Sequence, residues 1–387
     1  MAETLRAAVI GPGFIGMVHA DALRRNGVDV VAFVGSGSDT SRERAKSFRV
    51  PFYASLADAL AAESFDAVHI TTPNALHAPI AREAIAAGKH VVCDKPLAMS
   101  AAEGEDLLRL ATRAGIAHAV NFNFRFYTLV RQMREMVRNG SLGELYLIHG
   151  GYLQDWLLYA TDWNWRLDPA LGGSLRAIAD IGSHWLDLAG FITGQHPDSL
   201  VADLKTFLPI RQRPTRPVET FSGKELRPDD YEPVEMATED YGGVLIQFDG
   251  GARGTMRVSQ VSAGRKNRLE LEVSGAESSL YWTSERVEEL WIGHRNRANE
   301  LLLRDPPALG AEARAVNMAP GGHAEGYIET HRALFRAVYQ AIAAGGPPEE
   351  PDYPTFADGV RSLRLGDAIA RSARERRWVN PDLDIPS

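Results

Sequence analysis

Short apolar runs alternate with longer amphipathic stretches over the first 122 residues of the chain. Leu5–Ile10, Val28–Val34, Asp66–Thr71, Val91–Cys93 and His118–Phe122 have the length and continuous hydrophobicity of strands buried on both faces. Between them the apolar period lengthens to that of a helix. Ala75–Ala87 closes on Gly88, a C-terminal stop, and Ser55–Asp58 and Ser100–Glu103 each have capping-box spacing ahead of an apolar run. Strands regularly interleaved with helices predict a parallel sheet covered on both sides, the doubly wound α/β arrangement.

The texture changes after a helix over Leu129–Val137, which Asn139-Gly140 stops. Glu144–Tyr152, Tyr241–Phe248, Arg253–Val261 and Arg268–Val273 follow as strand-like runs broken by glycine turns, and Gly250-Gly251 marks a hairpin. Strands in series without intervening helices predict an open, mostly antiparallel sheet in an α+β domain. Residues 209–233 are rich in proline and charge and read as an exposed excursion. Ala324–Ala343 and Phe356–Glu375 read as closing helices. The expected division is a nucleotide-binding domain over 1–123 and a substrate-binding and oligomerisation domain over 124–387.

Composition narrows the function classes. A formal net charge of −8 argues against nucleic acid as the main partner. The single cysteine, Cys93, excludes an internal disulfide framework and a cysteine-rich metal site, and no metal is expected. Apolar runs stay well short of a membrane span, and the N-terminus enters a strand at once, so a cytoplasmic enzyme is expected.

The first strand ends in Gly11-Pro12-Gly13-Phe14-Ile15-Gly16 and opens directly into a helix. Each glycine has a separate task there: Gly11 makes the tight turn, Gly13 lets backbone approach a pyrophosphate, and Gly16 brings helix and strand together. The helix N-terminus adds N–H groups and a positive dipole end. Thr71-Thr72-Pro73-Asn74 with His77, and Cys93-Asp94-Lys95-Pro96, end later strands at the same sheet edge, where a dinucleotide sits. Asn74 as a helix cap accounts equally well for the first loop. Lys95 is placed to stabilise a developing alkoxide. The second strand ends in Gly35-Ser36-Gly37-Ser38 instead of an acidic residue, which removes repulsion against a 2′-phosphate and permits NADP beside NAD; with Arg42 and Arg44 coming only later, in the helix, NADP is not required.

Farther on, Asp180-Ile-Gly-Ser-His184-Trp-Leu-Asp187 opens an apolar helix. Asp180, His184 and Asp187 share a face at spacings of four and three. An imidazole there suits a general base, while a core histidine with a capping Asp180 fits the spacing as well.

Together, Gly11–Gly16, Asp94-Lys95-Pro96 and Asp180–Asp187 resemble the Gfo/Idh/MocA oxidoreductases, in order and across essentially the whole chain. The resemblance implies a Rossmann domain followed by an open sheet used for substrate and subunit contacts. It assigns catalysis to Lys95, Asp180 and His184, with Asp94 replacing the family's usual glutamate. It places Thr72, Pro73, Asn74 and His77 at the cofactor, and Trp165 and Arg166, from Asp162-Trp-Asn-Trp-Arg166, near cofactor and substrate. Asn123, Arg125 and Asp162 become substrate-side candidates, and Ser36 a ribose-side one. Tyr152, Trp156, Tyr159, Trp163 and Trp165 are dense enough to form a stacking wall, although core or interface packing is the commoner use of aromatics. The expected activity is hydride transfer between NAD or NADP and a secondary alcohol of a sugar, glycoside or cyclitol, in a homodimer or homotetramer. Two rivals stand beside it. One is a glycosidase or sugar–sugar oxidoreductase that retains and recycles its NAD. The other is a cofactor sensor without catalysis.

Overall fold

A computed structural model describes residues 4–215 and 230–384. The chain folds into two compact units that are not contiguous in sequence. Residues through Phe126 join Gly326–Leu363 in the first, and Tyr127–Glu325 joins Arg364–Leu383 in the second.

The first unit is built on strands β1 (Arg6–Ile10), β2 (Asp29–Val34), β3 (Phe52–Tyr53), β4 (Ala67–Ile70), β5 (His90–Cys93) and β6 (His118–Val120). They lie in the order β3-β2-β1-β4-β5-β6, all parallel. Helices α1 (Phe14–Arg25), α2 (Asp39–Phe48), α3 (Leu56–Ala62), α4 (His77–Ala86) and α5 (Ala101–Ala114) alternate with them. The capping signals work as the sequence indicates. Ser55 Oγ accepts the Asp58 N–H at 3.1 Å, and Ser100 Oγ accepts that of Glu103 at 3.3 Å. At the far end of α5, Gly115 takes a left-handed φ of 63°, which an L side chain resists. Ala8, Ile10, Val68, Ile70, Val91 and Cys93 are fully buried or nearly so, which is why these strands read as continuous apolar runs. A helix over Tyr327–Ala343 packs against α1, bringing the late segment back to the first unit.

The second unit carries an eight-stranded sheet made of β7 (Leu145–Leu153), β8 (Pro197–Lys205), β11 (Tyr241–Phe248), β12 (Arg253–Ser259), β13 (Arg268–Gly275), β14 (Ser279–Thr283), β15 (Glu289–Gly293) and β16 (Glu300–Leu303). Its order is β16-β15-β14-β13-β7-β12-β11-β8, antiparallel except for the β7–β12 pair. The remaining strands, β9 (Ile210–Pro214) and β10 (Tyr231–Glu235), form a separate two-stranded ribbon. Part of the expected 209–233 excursion is thus paired strand; residues 216–229 lie outside the described residues. One sheet face alternates cleanly, with Val244, Ile246, Met256 and Val258 buried beside exposed Leu245 and Arg253. The helices over Thr128–Arg138 and Ser183–Thr193 belong to the covered side. Trp185 donates its indole N–H to Glu270 O at 3.0 Å and crosses Gly150, where a Cβ would come within 2.9 Å of that nitrogen. Among the described residues no helix is long and apolar enough to cross a membrane.

Candidate active site

In the first unit, three loops leave the carboxyl ends of adjacent strands. Gly11–Gly16 follows β1, Thr71–Asn74 follows β4, and Asp94–Pro96 follows β5. The strand order reverses between β1 and β4, so these loops stand at the topological switch point where open α/β sheets bind ligands. The glycines divide as their tasks require. A Cβ on Gly11, whose φ is +91°, would sit 2.8 Å from Thr71 O, and one on Gly16 would sit 2.3 Å from Gly11 O. A Cβ on Gly13 would meet nothing within 4 Å. Two glycines therefore close the turn, and the third leaves open space ahead of the α1 N-terminus. That is the shape a pyrophosphate needs, and the residues present fit a dinucleotide. Phe14 is exposed beside it, with Ile15 half-buried.

His77 ties the other two loops together. Its ring lies between Pro96 O, 2.7 Å from Nδ1, and Thr72 O, 2.9 Å from Nε2. Burial pulls its pKa down, and the two carbonyls oppose that shift. Lys95 is half-buried on the loop this ring braces, next to Asp94. Cys93, one residue earlier, is fully buried, and burial pushes its thiol well above the usual range, so it is inert packing.

At the end of β2, a Cβ on Gly35 would lie 3.1 Å from the Pro12 side chain and 3.4 Å from Phe52. A side chain at this position would press on both neighbours. Ser38 caps α2 through a bond from the Ser41 N–H at 3.3 Å, and Ser36 is exposed. Of the arginines that the sequence places farther along α2, Arg42 folds back to this loop and Arg44 to the glycine loop after β1. Arg42 Nε donates to Gly37 O at 3.1 Å, with its guanidinium 5.1 Å from the Phe52 ring centre, and Arg44 Nη1 donates to Pro12 O at 3.1 Å.

In the second unit, Asp180 lies in a π-helical turn over Ile178–Gly182, which runs into the Ser183–Thr193 helix. The expected regular α-helical face is therefore wound wider at this point. Such turns recur at functional sites because the extra residue re-aims a side chain. Asp180 Oδ1 accepts from Arg166 Nε at 3.0 Å and Oδ2 from Gln260 Nε2 at 2.9 Å. Gln260 escaped the sequence reading because nothing near it in the chain carries a motif; only the fold brings it to Asp180. His184 is buried, with the Tyr152 ring 6.1 Å away.

The softer candidates separate. Asn123 donates to Thr330 Oγ1 at 2.8 Å, and Arg125 pairs with Asp358 at 2.8 Å, all within the first unit. Asp358 is held at a pKa of about 2, with the Arg125 charge and hydrogen bond overcoming its burial. In the second unit Asp162 accepts the Tyr159 N–H at 2.8 Å, and Arg166 stacks on Trp165 at 4.4 Å. Tyr152 is buried and donates to Asn267 Oδ1 at 2.5 Å, whereas Trp156 and Tyr159 are exposed. Glu325, in the Gly321–Glu325 loop, accepts from Thr128 Oγ1 at 2.6 Å and Thr128 N at 3.1 Å, capping its helix.

Comparison with known proteins decides the family. Residues 5–122 match the model of an oxidoreductase family with an NAD-binding Rossmann fold, and residues 130–281 match the GFO/IDH/MocA C-terminal domain. The chain belongs to the Gfo/Idh/MocA oxidoreductases. It is 31% identical to levoglucosan dehydrogenase of Pseudarthrobacter phenanthrenivorans, over 82% of this chain and 80% of that one. Among solved structures, levoglucosan dehydrogenase in complex with NADH and L-sorbose superposes with a TM-score of 0.86, at 26% identity and full coverage of both chains. An inositol dehydrogenase homolog from Azotobacter vinelandii, complexed with NAD+, gives 0.83 at 26% identity, covering 98% of each chain. As a Gfo/Idh/MocA protein, this one is an oxidoreductase with an NAD-binding Rossmann unit.

Proposed function

We propose that this chain oxidises or reduces a secondary alcohol of a sugar, glycoside or cyclitol, with Lys95, Asp180 and His184 as its catalytic residues. The substrate class is supported by the names of its relatives, levoglucosan dehydrogenase and the inositol dehydrogenase homolog. The observation that carries the roles is the anchoring of Asp180: two donors fix both carboxylate oxygens four residues before a buried histidine. Gly11, Gly13, Phe14, Ile15, Gly16, Thr72, Pro73, Asn74, His77 and Asp94 would hold the dinucleotide, whose nicotinamide ring supplies the hydride acceptor when bound. Trp165 and Arg166 belong to the same reading on the acid–base side.

In the oxidative direction His184 takes the hydroxyl proton. Lys95 holds the oxygen as negative charge builds on it, which is where a positioned cation helps most. Asp180 cannot swing away to pair with solvent cations, because Arg166 and Gln260 hold it, and it orients the donor groups around the alcohol. Asn123, Arg125 and Asp162 are read as substrate-side residues. A panel of sugars, glycosides and inositols offered with NAD+ and with NADP+ tests the proposal. Reduced cofactor should be released in step with substrate consumed. Turnover without its release would instead mark an enzyme that recycles a retained NAD, and binding without turnover a sensor.

The second cofactor question turns on α2. Arg42 puts a cation on the loop that carries Ser36 and Ser38, where no carboxylate opposes a 2′-phosphate. This supports use of NADP as well as NAD. For assembly, β7, β11 and β16 expose Leu147, Leu245, Leu301 and Leu303. A depression of about 740 Å³ on the open sheet face is lined by residues including Tyr241, Leu245, Arg257, Glu270 and Tyr281. An apolar patch with a polar centre on a soluble chain supports pairing of two copies through this face, as a homodimer or half of a tetramer. A monomer in light scattering at micromolar concentration would refute that. Cytoplasmic residence fits such an enzyme.

A further inference from the structure

Behind Lys95 the first unit buries a cluster of polar side chains that the proposed chemistry does not use. The Tyr327–Ala343 helix presents His331, Phe335 and Tyr339 along one face, against His19 of α1 and His69 of β4. All three imidazoles are fully buried, and Asn121 stands among them at the end of β6. Its Nδ2 lies 3.2 Å from each of three atoms: Asp94 Oδ1, His331 Nε2 and His19 Nε2.

The protons in this cluster can be placed one after another. His331 Nδ1 is 3.0 Å from Tyr327 O, which can only accept, so Nδ1 carries the proton. Burial draws this ring's pKa down to about 4, so it is neutral near pH 7 and its Nε2 offers a lone pair. The group that Asn121 turns toward it must then be the amide NH₂. The same NH₂ faces the Asp94 carboxylate, also an acceptor. His19 Nε2 faces it too and is likewise a lone pair, so His19 Nδ1 donates to His69 Nδ1 at 3.1 Å. His69 Nε2 then donates to the Tyr339 oxygen at 3.1 Å. Each group then has a fixed role as donor or acceptor, with the two amide N–H groups of Asn121 shared among its three acceptors. Asn121 Oδ1 is buried with no partner among the described residues. Turning the amide over would aim that oxygen at three acceptors, so the buried orphan marks an orientation imposed by the neighbours.

We propose that Asn121 is a positioning residue for Lys95, acting through Asp94, with its orientation set by His331 and His19. Asp94 is already held through its backbone, its N–H donating to Ile70 O at 2.8 Å, while the Asn121 N–H donates to Cys93 O at 2.8 Å. The side-chain tether adds the restraint that strand pairing lacks, on the residue from which the chain passes directly to Lys95. Among the described residues no group of histidines and acids is arranged to hold a metal.

This rests on the catalytic reading of Lys95, and the test separates the two. Asn121→Ala, His331→Phe and the double variant are compared for kcat, sugar KM, dinucleotide Kd and melting temperature. The six lysines of the chain also allow ¹³C reductive methylation, with the Lys95 signal assigned from Lys95→Arg. Asn121→Ala should lower kcat about 10- to 100-fold, the scale of a misplaced catalytic group, with Kd and KM little changed. Its Lys95 signal should move into the envelope of the mobile lysines. His331→Phe keeps the ring and removes the lone pair; it should lower kcat less, and add nothing to Asn121→Ala, because it acts through that residue. Unchanged kcat with an unshifted Lys95 signal overturns the proposal. So do independent, multiplying losses in the double variant, which mean general destabilisation. If Asn121→Ala does not fold, an unmoved Lys95 signal in His331→Phe overturns it by itself. Near-normal turnover of Lys95→Ala would sink the catalytic reading, while the methylation signal would still report whether Asn121 restrains the lysine.

Discussion

The most deeply buried polar cluster of one unit is neutral and that of the other is ionic. The first holds His19, His69, His118 and His331 as neutral rings, with burial taking His69 to a pKa of about 3 and His118 and His331 to about 4. The second buries ions. Arg176 and Arg211 converge on Asp240, with all three side chains fully inaccessible, and Asp240 Oδ2 also accepts the N–H groups of Phe207 and Leu208. Beside them Glu239 accepts the N–H groups of Arg176 and Ile178 at 2.9 Å each. That bond reaches the first residue of the turn carrying Asp180. Each cluster thus stands behind one part of the proposed chemistry, the neutral one behind Lys95 and the ionic one behind Asp180 and His184. A neutral network avoids the desolvation cost of ions and specifies orientation through its lone pairs. An ionic one fixes position strongly, and loss of one member leaves a buried charge uncompensated.

The largest expected effect comes from removing the acid–base group. His184→Asn keeps a polar side chain of moderate size and should lower kcat about 10²–10⁴-fold, with dinucleotide affinity little changed. The low-pH limb of kcat/KM should vanish with it. A surviving limb and a small loss would make His184 a core residue. On stability, Asp240→Ala should cost about 3–5 kcal/mol, since two buried guanidinium groups lose their carboxylate. His69→Phe should cost less, about 1–3 kcal/mol, from the unpaired His19 and Tyr339 groups. Denaturant unfolding of both variants checks the order; a reversal would mean that the neutral cluster is the stronger anchor.

Acidity should separate the units with opposite signs. The buried histidines have folded pKa values below the unfolded 6.5, so the unfolded chain binds more protons as pH falls. The first unit therefore loses stability from about pH 6.5 down toward pH 4. Glu325 behaves inversely. Burial raises its carboxyl from 4.5 to about 7, so its neutral form is favoured in the fold, and the second unit loses stability as pH rises through that window. A shift of this size corresponds to about 3 kcal/mol. Hydrogen exchange, corrected for intrinsic rates, should show protection in the first unit rising between pH 5 and 7. Around Thr128 and Glu325 it should fall. Glu325→Gln should flatten the second trend and leave the first untouched.

Much of the fold was legible because it rests on local signals. The glycine loop, the capping boxes at Ser55 and Ser100 and the buried strands all announce themselves within a few residues. β14, β15 and β16 were missed because they are short and lie beyond the clearest glycine turns. Nothing local shows that Tyr327–Ala343 packs on α1; its apolar face would suit any partner. For the same reason Gln260 at Asp180 and the His19–His69–His331 cluster were invisible. A histidine within an apolar helix face is ordinary, and its meaning depends on a neighbour hundreds of positions away. The π-helical turn was hidden too, since Ile178–Gly182 has a composition that any helix tolerates.

The smallest predicted effect concerns the ribose end of the dinucleotide, and it returns to sequence distance against spatial distance. Arg42 is five residues beyond Gly37, yet its side chain returns to that residue's carbonyl. Because the guanidinium is at the surface, its attraction to a 2′-phosphate is screened and worth about 1 kcal/mol, or less than tenfold in affinity. Arg42→Ala should weaken NADPH binding by that modest factor and leave NADH nearly unaffected, with the difference shrinking as salt is raised. Ser36→Asp should act in the same direction by repulsion. Equal weakening of both dinucleotides by Arg42→Ala would show that the arginine only braces Gly37 and Phe52. In that case the first unit discriminates between the cofactors by shape and not by charge.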